Sequence, residues 1–231
     1  MNEQGSWFFE NVNLFNIFCI HKYKEYKANH KFNDFKKGEF IYFKRDLSTK
    51  IYLIADGRVK IAYYTDDGKE VVKAILTKGE IFGELALFGE ERRHDFAQSV
   101  DESTCLCPMT IEEMQNLMLA NREFSFKIYK FIGYRIKKLE RKIELLISKD
   151  VKTRLIEFLK DMAYEKGEKV GDETLIKHAF TQKDIADLIG TSRQTVTTLL
   201  NELKEDNLIY FDRKRILVRD LTKLSDVITS N

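Results

Sequence analysis

The chain is poor in the residues that build irregular or cross-linked proteins. A single proline in 231 residues argues against disordered, proline-rich linkers. Three cysteines, an odd number, do not make the disulfide framework of a small secreted domain. The four histidines, His21, His30, His94 and His178, are scattered, with no closely spaced pair of the kind that holds a metal. No nucleophile elbow, P-loop or dinucleotide fingerprint occurs. Long apolar runs are also missing: the most apolar stretch near the start, Leu14 to Ile20, is broken by Asn16 and has no basic segment before it. The expectation is a cytoplasmic chain that is not an enzyme, with no membrane span, no metal and no cofactor.

Charge excludes less. The formal net charge is +2, and over residues 151–231 acidic and basic residues balance. Any nucleic-acid surface must therefore be a local patch rather than a basic domain.

Three periodicities divide what is there. From Phe32 to Pro108, short apolar runs alternate with turns: Val59, Ile61 and Tyr63 interleave with Arg58, Lys60 and Ala62. Asp56-Gly57 and Asp67-Gly68 sit between such runs and supply tight-turn chemistry. This predicts an antiparallel barrel or roll.

From Arg122 to Lys149 the pattern is helical. Tyr129, Ile132, Ile136, Leu139, Ile143 and Leu146 step by 3, 4, 3, 4 and 3, a heptad seam, with Lys137, Lys138, Arg141 and Lys142 off the stripe. One long amphipathic helix packed on its own domain would satisfy this spacing, as would a two-stranded coiled coil. The narrow stripe and the length favour the coiled coil, hence a homodimer.

From Val151 onward the pattern is helical again and ends in a strand pair, Ile209 to Phe211 and Arg215 to Val218, flanking Asp212-Arg213-Lys214 as a wing. Within it, Thr181 and Asp184 form a capping box, Ile185, Leu188 and Ile189 an apolar face, and Gly190 a left-handed turn. Val196, Leu199, Leu200 and Leu203 then give a second helix an inner face. That leaves Arg193, Gln194, Thr197 and Thr198 outside, as side chains able to read base edges. Thr191, Ser192, Arg213, Lys214 and Arg215 suit the phosphate backbone. Gln194 has a second reading, as the partner of Thr191 in another capping box. A plain helical hairpin would also show this pattern, but not followed by a wing and preceded by a seam helix.

These motifs resemble the cyclic-AMP receptor protein and Fnr (Crp/Fnr) superfamily of bacterial regulators, from about Phe35 to Leu221. Gly79-Glu-Ile-Phe-Gly-Glu-Leu-Ala-Leu87 is similar to the family's β-roll motif, and Thr181 to Ile209 to its helix-turn-helix, including Ser192-Arg-Gln-Thr-Val196. The resemblance implies an α+β chain. A β-roll sensor with flanking helices would occupy residues 1–121, a dimerisation helix 122–149, and a winged helix-turn-helix 150–231. It further implies a homodimer that binds an inverted-repeat operator in double-stranded DNA and touches RNA polymerase.

The effector is unknown. In family members that bind cyclic AMP, the motif's Glu meets the ribose and a following Arg-Ser pair holds the phosphate. Glu84 matches, but gapless continuation places His94 and Asp95 at the Arg-Ser positions. Arg92 and Arg93 lie upstream and substitute only if the loop shifts. The Thr-Ser pair that meets adenine is replaced by Leu139 and Glu140. Cyclic AMP is therefore not expected, and Glu84 reads as a structural carboxylate. The alternative is a nucleotide or other small molecule in a pocket modified around Glu84, Arg92, Arg93, His94, Leu139 and Glu140. Nor do Cys19, Cys105 and Cys107 match the clustered cysteines of the iron–sulfur branch; a structural role for Cys105 and Cys107 outweighs a redox-active pair.

Overall fold

A computed structural model describes residues 32–178 and 180–229. Cys19, His21, His30 and the Leu14 to Ile20 stretch lie outside the described residues. The chain is α+β and forms two compact units that divide between Tyr134 and Arg135.

Among the described residues the first unit holds two antiparallel sheets of four strands each. One has the order β1 (Asn33–Phe35), β8 (Thr104–Thr110), β3 (Lys50–Asp56), β6 (Ile81–Phe82); the other runs β2 (Phe40–Tyr42), β7 (Phe96–Ser99), β4 (Arg58–Tyr64), β5 (Glu70–Thr77). This is the expected β-roll. Its inner residues include Tyr42, Ile54, Val59, Ile61, Phe82 and Leu106. Pro108 sits in β8 opposite Tyr52, beyond Leu106, the last β8 residue paired with β1 among the described residues.

Thr110 ends β8 and caps α1 (Ile111–Ala120) through a capping box with Glu113, a helix the periodicity had not separated from the roll. The long helix α2 (Arg122–Ser148) follows, close to the expected bounds. On its first half Phe124, Ile128 and Phe131 pack with Ile51, Leu53 and Met114 in the core of the first unit. The heptad positions Tyr129, Ile136, Leu139, Ile143 and Leu146 face elsewhere and are exposed, while Ile132 is half-buried at the core's margin.

In the second unit, Lys138 and Arg141 of α2 pair with α3 (Val151–Lys166), at Glu165 and at Glu157 and Asp161. A hairpin that the sequence reading missed comes next: β9 (Gly167–Val170) and β10 (Glu173–Lys177). Helices α4 (Gln182–Ile189) and α5 (Arg193–Glu205) precede the wing strands β11 (Ile209–Phe211) and β12 (Arg215–Val218), and α6 (Leu221–Thr229) closes the unit. The wing is a two-strand hairpin as expected, but β12 also pairs with β10, so it is the edge of a four-stranded sheet. Leu155, Ile156, Leu159, Ile185, Val196, Leu200, Ile216 and Leu224 form its core.

Two Asp-Gly turns separate backbone strain from crowding. Gly57 has φ +80° and Gly68 φ +78°, both left-handed. A Cβ at Gly57 would lie 2.7 Å from the Ser103 carbonyl oxygen, whereas one at Gly68 meets nothing within 4 Å. Gly68→Ala should therefore cost about 1–2 kcal/mol, the left-handed penalty alone. Gly57→Ala should cost more, because backbone must move as well. Urea denaturation of the two variants checks the order; equal losses would mean that the roll absorbs the clash at no cost.

Candidate nucleic-acid interface

The α4–α5 pair is built from caps. The Thr181 hydroxyl accepts from the Asp184 N–H at 3.1 Å, and the Asp184 carboxylate accepts from the Thr181 N–H at 2.7 Å, the expected capping box. Gly190 ends α4 with φ 70°. A side chain there would be strained, and its Cβ would lie 2.8 Å from a methyl of Leu146. The second cap is not the Thr191–Gln194 box of the second reading of Gln194. Ser192 is the N-cap of α5, its hydroxyl accepting from the Thr195 N–H at 3.1 Å. Gln194 is thereby released from any capping duty.

The inner face of α5 is buried at Val196, Leu200 and Leu203, with Leu199 half-buried. Arg193, Gln194 and Thr198 are exposed, and Thr197 is half-buried. The Thr197 hydroxyl lies 2.6 Å from Gln182 Oε1 and 2.9 Å from the Arg193 carbonyl oxygen. At the wing, Asp212 accepts from the N–H groups of Lys214 and Arg215 at 2.8 and 2.9 Å and pairs with the Arg215 guanidinium at 3.1 Å. Those bonds, first of all the one from Lys214, hold the Asp212 carboxyl below its usual range. Arg215 is thus partly neutralised, while Arg213 and Lys214 are exposed at the tip.

Sequence reasoning passed over Arg154. Its guanidinium donates to the carbonyls of Lys149, Ile189 and Gly190 at 2.9, 2.8 and 3.2 Å. One side chain thereby satisfies the end of α4 and the residue after α2. The signal available was an arginine on the first turn of a helix, which is too common to single out.

The residues expected around the effector pocket require a correction. Gapless continuation put His94 and Asp95 beside the Glu84 turn, with Arg93 reaching it only after a loop shift. The structure places Arg93 there directly. Its guanidinium donates to the Gly83 carbonyl at 3.1 Å, to the Glu90 carboxylate at 3.1 Å and to the Lys50 carbonyl, and it lies 4.5 Å from the centre of the Tyr42 ring. Arg93 is 3% exposed, whereas the His94 side chain is 80% exposed. Asp95 is engaged by the Tyr42 hydroxyl and by Lys73. Burial raises the Glu90 carboxyl, but bonds from Ser48, His94 and Arg93 outweigh it and leave it below its ordinary value. Arg92 is exposed and donates to the Arg45 carbonyl. Glu84 opens a short 3₁₀ helix, Glu84–Phe88, between the left-handed Gly83 and Gly89. Leu139 and Glu140 are exposed on α2, beyond the divide between the units.

Cys105 and Cys107 share β8, half-buried and buried. Burial, then the bond and charge of Asp34, push the Cys105 thiol up to about 11, so little thiolate is present at neutral pH. Among the described residues no group of three His, Cys, Asp or Glu side chains could hold a metal, and no helix is long and apolar enough to cross a membrane.

A β-roll joined by a long helix to a winged helix-turn-helix defines a class of DNA-binding transcription regulators. The model of the cyclic nucleotide-binding domain matches residues 32–121, and that of the Crp-like helix-turn-helix domain matches residues 153–227. The global nitrogen regulator of Synechococcus elongatus is 32% identical over 83% of this chain and 86% of its own length. The CRP-like cAMP-activated global transcriptional regulator of Mycobacterium tuberculosis is 27% identical over 83% and 85%. The solved structure of a CooA mutant from Carboxydothermus hydrogenoformans superposes with a TM-score of 0.79 at 27% identity, covering 94% of this chain and 96% of that one. The chain belongs to the Crp/Fnr family, and like these relatives it is a transcription regulator rather than an enzyme.

Proposed function

We propose that this regulator is a homodimer that binds an inverted-repeat operator and is not switched by cyclic AMP. In this reading residues 1–121 are the sensor, 122–149 the dimerisation helix and 150–231 the DNA-binding domain. The observation that carries it is the polar face of α5. Arg193, Gln194 and Thr198 are exposed on the first turns of a helix whose opposite face is locked into the core. Arg193 suits guanine N7 and O6, Gln194 suits adenine N6 and N7, and Thr197 and Thr198 complete the base-reading set. Thr191, Ser192, Arg213, Lys214 and Arg215 contact phosphates, with the N–H groups at the start of α5 adding donors. RNA polymerase is the expected protein partner, and the cytoplasm the expected location.

Base and backbone roles separate by salt and by sequence. Arg193→Ala should cost about 1–3 kcal/mol on the specific site and relax preference at one position of each half-site. Lys214→Ala should weaken all sequences about equally and lower the salt slope by about 1. Titrations on specific and random duplexes at several salt concentrations decide this. An equal loss on both duplexes for Arg193→Ala would remove it as a base reader.

The dimer rests on the exposed stripe of α2. Tyr129, Ile136, Leu139 and Ile143 are each more than half exposed, while the helix's other apolar face is already used. A two-fold partner covering this stripe would also place two recognition helices on two half-sites. Ile143→Glu would bury like charges together at several kcal/mol per dimer. It should sediment as a monomer at micromolar concentration; an intact dimer would move the interface elsewhere.

Cyclic AMP is disfavoured because Arg93, the cation that the described residues set beside the Glu84 turn, is already charge-paired. Arg93 is charge-paired with Glu90 and bonded to two backbone carbonyls, so an incoming phosphate would have to compete with Glu90 for its charge to offset desolvation. The same residue favours a second reading, a nucleotide in a modified pocket, since Arg93 stands there without any loop shift. Calorimetry with millimolar cyclic AMP and cyclic GMP should show no binding heat. A micromolar dissociation constant, lost in Arg93→Ala, would establish the second reading instead.

A further inference from the structure

We propose that Gln182, which lies outside the recognition helix, sets how Thr197 reads DNA: it holds the Thr197 hydroxyl inside the protein, so that Thr197 meets the base through its methyl group and selects thymine. This deepens, and rests on, the reading of α5 as the base reader. Gln182 is the first residue of α4 and half-buried, and its amide oxygen lies 2.6 Å from Thr197 Oγ1. The same hydroxyl is 2.9 Å from the Arg193 carbonyl. A hydroxyl carries one proton, and both of these oxygens are acceptors. If the Gln182 amide is turned the other way, its NH2 donates to Oγ1 and the proton goes to Arg193. Either way the proton stays within the protein, and no donor is left for a base.

That commitment changes what Thr197 can distinguish. A free hydroxyl donates equally to guanine N7 or O6, adenine N7 or thymine O4, and so discriminates weakly. With the hydroxyl held, Thr197 brings its methyl group, which matches the 5-methyl of thymine in the major groove. Thr197 is four residues after Arg193, on the same face one turn along. Its base therefore neighbours the one Arg193 reads. Gln182 acts here as a positioning residue, through Thr197.

The test uses the full chain and duplexes enriched from a random pool, with each half-site thymine replaced singly by deoxyuridine, which removes only the methyl group. Wild type should lose about four-fold at one thymine per half-site, the worth of one buried methyl. Thr197→Ser keeps the hydroxyl and its bond to Gln182 but lacks the methyl, so its thymine-to-uracil ratio there should fall to about one. Gln182→Ala leaves the hydroxyl only the Arg193 carbonyl of its own helix, so the methyl group is no longer fixed from α4 and the ratio should drop. Gln182→Glu restores an acceptor, so the ratio should return although overall affinity falls by charge repulsion. A thymine preference unchanged in Thr197→Ser overturns the proposal. So does a Gln182→Ala protein that weakens all duplexes by one factor with the ratio intact, since that is the behaviour of a phosphate contact. An enriched site indifferent to Arg193→Ala overturns the assignment of α5 itself, a separate failure.

Discussion

The reversal between α4 and α5 rests on a set of carbonyls that have no helical partner. The end of any helix exposes such groups, and burying them unpaired is costly. Here one guanidinium gathers them: Arg154 donates to Ile189 and Gly190 at the end of α4 and to Lys149 just past α2. A planar fork of fixed donors suits this task better than an ammonium would. The left-handed backbone at Gly190 turns the chain, and Leu146 occupies the space a side chain there would need. The direction in which α5 leaves the turn, and hence the face it offers, follows from these few contacts.

The same logic explains which parts were legible in the sequence. Caps and turns are local, so Thr181, Asp184 and Gly190 took the roles their spacing predicts. The buried stripe of α5 was legible because Val196, Leu200 and Leu203 repeat at helical spacing. The hairpin β9–β10 was not. Its first strand is exposed and offers no apolar alternation, and only the turn at Gly171, with φ 62°, marks it. The Gln182–Thr197 contact joins two helices, and no spacing rule within one helix could show it.

Arg93 was misplaced for a different reason. Alignment without gaps assumes that the loop after the 3₁₀ helix has a fixed length, but strand pairing decides where a side chain points. Arg93 takes its place from backbone bonds with Asp46 and Arg45 and from β7, which begins at Phe96. Its neighbour His94 then falls on the outer side. A slip of one residue exchanges an inward cation for an outward one.

The placement also bears on why a buried arginine is tolerated at all. A lone guanidinium in the roll would carry a large desolvation cost, and a lone carboxylate the same. Glu90 and Arg93 offset one another at 3.1 Å, Ser48 donates a further bond to Glu90, and the Tyr42 ring covers the guanidinium face. Two of the remaining donor bonds go to main-chain carbonyls on separate segments, at Lys50 and Gly83. The pair therefore pins the glycine-rich turn to β3, making it part of the roll's framework. A ligand that recruited Arg93 would have to replace the bonds to Gly83 and Lys50 as well as the charge of Glu90. Binding there and loosening of the turn would then be a single event, which is how a site of this kind would couple a ligand to the fold around it.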